Sequence, residues 1–120
     1  MTNPTGLPYT PAVAAGGWVV VSGQLGLRDG ELVADFGGEV DQVLTNLTAR
    51  LADHGLDLSH VVKTTCFLTD LDRFGEFNER YGAAFADPRP ARSAFEVSRL
   101  PLGAHVEVEA WAHRDGFTTA

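Results

Sequence analysis

The chain has 120 residues, 44% hydrophobic and 21% charged, the size and balance of one domain spanning 1–120 with a modest core. At this length folding buries only about two-thirds of the surface an unfolded chain exposes, so further copies of the chain are a natural way to complete the burial. Sixteen acidic residues against nine basic ones give a net charge of -7, the wrong sign for gripping a phosphate backbone, and nucleic acid is not an expected partner.

Lys63 is the single lysine, which leaves one candidate for Schiff-base chemistry. The lone Cys66 forms no internal disulfide, and His54, His60, His105 and His113 show no i, i+4 ligand pair, so no metal site is expected. Met1-Thr2-Asn3-Pro4 lacks the basic start of a leader, and no run approaches the roughly 20 apolar residues of a membrane span. The expectation is a soluble, cytoplasmic protein without membrane partners.

Pro4, Pro8, Pro11 and Gly16-Gly17 predict an extended lead-in rather than a helix. The β-branched run Trp18-Val19-Val20-Val21-Ser22, closed by Gly23, predicts a buried strand. Asp29-Gly30 supplies the positive-φ positions of a tight hairpin, with Leu32-Val33 as its return strand. Val40, Val43, Leu44, Leu47 and Leu51 recur at the spacing of one helical stripe between Phe36 and His54, with Gly55 as its stop. His60–Leu68 reads as a central strand. Asp70 is placed to cap a second helix whose stripe is Leu71, Phe74, Phe77, Tyr81, Ala84 and Phe85, ended by Pro88 and Pro90. Arg92–Val97 and His105–Trp111 alternate as strands, the second showing Val106, Val108 and Ala110 to one face and Glu107 and Glu109 to an open polar one. The order predicts an α+β fold, a single mixed sheet with both helices on one face.

Carboxylates in a strand are also what a solvated sheet face carries, so Glu107 and Glu109 do not by themselves mark a site. Arg92 follows Pro90-Ala91, which stiffens its backbone, and a fixed guanidinium binds carboxylates in a fork. The competing role is an ordinary pairing with Glu96 or a cross-strand glutamate.

The run Pro90-Ala91-Arg92-Ser93-Ala94-Phe95-Glu96-Val97, followed by Val106-Glu107-Val108-Glu109-Ala110, resembles the C-terminal signature of the Rid family, also called the YjgF/YER057c/UK114 family. Leu7-Pro8-Tyr9, Val21-Ser22-Gly23-Gln24, Val62-Lys63-Thr64-Thr65 and Asn78-Glu79-Arg80-Tyr81 resemble its other blocks, in family order. The resemblance implies a fold like that of the Bacillus-type chorismate mutase, assembled as a homotrimer around a central barrel, with clefts between subunits. It implies hydrolysis of reactive 2-imino acids such as 2-iminobutanoate and 2-iminopropanoate to 2-oxo acids and ammonia, without metal or cofactor. Residue by residue, Arg92 matches the arginine that clamps the substrate carboxylate and Glu107 the glutamate that orients or activates water. Tyr9, Ser22, Gly23 and Asn78 match other cleft residues, and Ala94 stands where archetypal members have a cysteine that offers mainly its backbone. Leu7 and Pro11 depart from a family glycine and glutamine. Two alternatives remain at this stage: a trimer that binds or senses small carboxylates without turnover, and the chaperone-like or ribonuclease role reported for some relatives.

Overall fold

The structure is a computed structural model that describes residues 6–119; the Met1–Pro4 part of the lead-in lies outside that range. Its strands are β1 (Ala12–Ala15), β2 (Trp18–Leu25), β3 (Leu27–Arg28), β4 (Glu31–Leu32), β5 (Val61–Leu68), β6 (Ala91–Glu96) and β7 (Val106–His113). The helices are α1 (Phe36–Ala52) and α2 (Phe74–Ala84). Five strands form one mixed sheet in the order β1-β2-β7-β5-β6, while β3 and β4 make a separate small hairpin. Only β5 and β6 run parallel within the main sheet. Their crossover is α2, as parallel neighbours require.

Both helices cover one face of the sheet. Val40, Val43, Leu47 and Leu51 of α1 and Phe77 and Tyr81 of α2 share one buried cluster with Val19, Val21, Val61, Cys66, Leu68, Val106, Val108 and Ala110. These strand residues alternate along their strands, which is the period-two pattern of a half-buried sheet. Asp35 caps α1 by accepting from the Gly38 N–H. Glu39, fully buried in the first turn, accepts from the His105 N–H at 2.7 Å and meets His105 Nδ1 at 2.8 Å, tying α1 to the start of β7.

One expectation is refined and two are corrected. The lead-in holds a strand: Gly16, at φ +60°, turns the chain so that β1 pairs antiparallel with β2, a backbone ladder that proline counting does not reveal. Asp70 caps the 3-10 turn Leu71–Arg73, accepting from the Asp72 N–H, and α2 starts only at Phe74. The open sheet face is mixed rather than polar: Val13, Phe95 and Trp111 are exposed apolar side chains on it, beside Glu107 and Glu109. Trp18 and Trp111 meet edge to face there, with ring centroids 6.0 Å apart.

Candidate functional site

The register of β6 on β5 pairs Thr64 with Arg92 and Cys66 with Ala94. Thr64 and Cys66 are buried beneath α2, so Arg92 and Ala94 leave the sheet on the helix side. There the Arg92 guanidinium lies over three aromatic faces, 5.2 Å from the Phe74 centroid, 5.9 Å from Phe77 and 4.9 Å from Tyr81. Its Nη1 donates to Asn78 Oδ1 at 2.7 Å. The pairing with Glu96 does not occur, because Glu96 Oε1 instead accepts from the Leu71 N–H. Among the described residues no carboxylate forms an ion pair with Arg92. Ring faces and a neutral amide therefore fix this cation without cancelling its charge.

The rings are held in turn. Tyr81 Oη and Thr64 Oγ1, both buried, are 2.7 Å apart, and burial pushes the Tyr81 phenol above its usual range. Burial likewise pushes the Cys66 thiol up to about 11, which leaves it protonated and poorly nucleophilic at neutral pH. Arg92, Asn78, Tyr81, Gly82, Arg89 and Pro90 line an open concavity of about 450 Å³. Ala94 sits two residues further along, on an edge strand whose outer backbone groups have no strand partner among the described residues.

The other candidates gather on the opposite side. Between the pairs Val21–Ala110 and Gln24–Val108, Ser22 and Gly23 both stand against Glu109 alone, a β-bulge. Ser22 donates from Oγ to the Thr10 carbonyl at 2.6 Å and from its N–H to Pro11 O, which fastens the segment just after Tyr9 along β2. Glu107 pairs with Leu25 and leans diagonally across Gly23, where a methyl group would stand 2.6 Å from its Oε2. Gly23 is thus the gap that admits the carboxylate. Partial burial, and secondly the Glu109 charge, hold the Glu107 carboxyl above its ordinary value.

The seven candidates therefore divide into Arg92, Asn78 and Ala94 on the helix side and Glu107, Gly23, Ser22 and Tyr9 at the β1–β2–β7 side. Glu107 stands level with Phe67 and Arg92 with Thr64, two strands and three residues apart. Their Cα atoms are about 14 Å apart by sheet spacing, and the side chains project to opposite faces. One chain does not bring the two together. Sequence reading missed the ring platform under Arg92, because the spacing of Phe74, Phe77 and Tyr81 signals only a core stripe. It also passed over Arg89.

The match to the Endoribonuclease L-PSP family model runs over residues 2–114. The chain belongs to the Rid family. The 2-iminobutanoate/2-iminopropanoate deaminase of Rattus norvegicus is a Rid relative 43% identical over 117 residues, covering 93% of this chain and 84% of its own. Among solved structures, RidA of an Antarctic Psychrobacter species superposes with a TM-score of 0.88 at 38% identity, covering 90% and 89% of the two chains. Escherichia coli TdcF with bound serine gives 0.84 at 36% identity, covering 89% and 88%. The α+β fold with a mixed sheet and two helices is thus a Rid fold. Among the described residues no helix is long and apolar enough to cross a membrane.

Proposed function

We propose that this protein hydrolyses 2-imino acids such as 2-iminobutanoate and 2-iminopropanoate to 2-oxo acids and ammonia, in clefts completed by a second copy of the chain. One observation carries the reading: an uncompensated guanidinium on the helix side and a carboxylate with a raised pKa on the open side, each half a site. The deaminase name of the rat relative supports the reaction class. Serine bound to the E. coli relative is a small carboxylate of the size Arg92 suits. The mixed polar and apolar open face is the kind of surface that copies cover, in line with a homotrimer built around the sheets.

In this mechanism Arg92 takes the substrate carboxylate in a fork, pre-aimed by the rings and Asn78. The edge of β6 at Ala94 offers backbone groups to the same ligand, and Tyr9, Ser22 and Gly23 of the neighbouring copy wall the cleft. Glu107 accepts a proton from water as its oxygen adds to the electrophilic C=N carbon. That proton passes to nitrogen and leaves a carbinolamine; Glu107 then carries the hydroxyl proton to the amino group, the C–N bond breaks, ammonia leaves and the carbon becomes a carbonyl. A carboxyl held above its ordinary range is a better base and a better acid near neutrality than an exposed one. The net charge of -7 works against the ribonuclease alternative through the phosphate backbone.

Subunit mixing tests the whole reading. Arg92→Ala and Glu107→Gln are each expected to lose the acceleration of 2-oxobutanoate release from 2-iminobutanoate made in situ, with semicarbazide as trap. Refolded together at equal amounts, about one quarter of the inter-chain sites should carry both native residues, and activity should return accordingly. Mixed assemblies that stay inactive would mean that the two residues do not share a cleft.

A further inference from the structure

Arg89 has no role in the reading above, yet it lines the same concavity as Arg92. Its Nε donates to the Phe85 carbonyl at 2.8 Å and its Nη2 to the Gly82 carbonyl at 3.1 Å. These bonds cap the C-terminal end of α2, and a structural cap would suffice to explain them. They leave the charge in place, however, because both acceptors are neutral. The only ion pair of Arg89 among the described residues is with Asp87, at 3.3 Å, on a carboxylate whose side chain is 85% exposed. Such a pair in water contributes little. Of the five guanidinium N–H groups, three are engaged in these contacts and two are left for a ligand.

The concavity thus holds two guanidinium groups, Arg92 held by neutral partners and Arg89 by two carbonyls and one exposed carboxylate, and no carboxylate lines it. This stands out in a chain whose net charge is -7. A substrate with one carboxylate engages Arg92 and leaves Arg89 to solvent. A substrate with two engages both, and loses little extra entropy because Arg89 is already ordered by the helix end. We infer that this cleft prefers 2-imino acids bearing a side-chain carboxylate, such as the imines of glutamate and aspartate, with Arg89 as the residue that reads the distal carboxylate; this rests on the imine-deaminase reading.

The experiment compares kcat/KM for 2-iminoglutarate with that for 2-iminobutanoate, each generated in situ by an amino-acid oxidase. The acidic-over-neutral ratio should fall about fivefold to tenfold in Arg89→Gln, the loss of one charge-assisted contact at a half-open site. Asp87→Asn, which removes a carboxylate that repels the distal carboxylate of the substrate and leaves the helix cap untouched, should raise the ratio, and it serves if Arg89→Gln does not fold. A ratio unmoved by both variants overturns the inference while leaving the deaminase reading standing. If wild-type protein accelerates no imine, the deaminase reading falls. Calorimetric binding of 2-oxoglutarate against 2-oxobutanoate then decides: selectivity lost in Arg89→Gln supports the role of Arg89, and equal affinities overturn it.

Discussion

The surroundings of Arg92 and of Glu107 solve opposite problems with the same sheet. Arg92 is a cation set on three ring faces and one amide, rigid and without a counter-charge. Glu107 is a half-buried carboxylate set over a bare glycine beside a second carboxylate, with no ring platform beneath it. At Glu107 this leaves an electrostatic imbalance that penalises the ionised form, whereas Arg92 is exposed and simply keeps its charge available. The lesson is that a charge kept unpaired by its own fold points outward, to a ligand or to another copy.

The largest effect should come from the rigid side. Arg92→Ala is expected to lower kcat/KM for 2-iminobutanoate on the order of 10³-fold, since both the charge and the fork geometry go. Calorimetry should show unfolding changed by only about 1 kcal/mol, the value of an exposed cation–π stack; a large loss of stability would make Arg92 a structural residue instead. Glu107→Gln should cost about 10² in kcat, the usual contribution of a general base. Its stability should change in a defined direction. Because the folded-state pKa is raised, the ionised form is penalised, so wild type loses stability relative to Glu107→Gln as pH rises through that raised range, and the two converge at acid pH. Denaturant midpoints across pH check the sign.

Smaller changes sharpen the contrast. Gly23→Ala should reduce kcat about tenfold and KM less, because its methyl displaces the Glu107 carboxylate by direct contact. An unchanged kcat would show that the exact position of that carboxylate is unimportant. The mildest variant is Glu109→Gln. Removing the neighbouring charge should move the acid limb of the kcat profile to lower pH, since that charge is the second cause of the raised Glu107 pKa. A limb that stays in place would mean that Glu107 does not set it.

Much of this was legible in the residues. The stripe of α1, the alternation of β7 and the Asp29-Gly30 hairpin are local patterns of period 3.6, of period 2 and of turn chemistry, and each formed, the hairpin's return strand one residue earlier than expected, at Glu31–Leu32. Strand β1 was not legible, since Ala12–Ala15 carries no β-branched run and owes its state to pairing with β2. The candidate residues were legible as a family set, but their division was not. Alternation along β6 tells that Arg92 and Ser93 point to opposite faces, not which of them meets a helix.

The sequence by itself determined the two helices, the main strands other than β1, the buried stripes and the list of candidate residues, because those depend on neighbours a few positions apart. Tertiary structure alone decided that the crossover helix α2 lies over β6, so that Phe74, Phe77 and Tyr81 become a seat for Arg92 and set it on the face opposite Glu107. The cause is strand order: β7 inserts between β2 and β5, a long-range pairing no local pattern encodes, and with it the sheet parts the two charges.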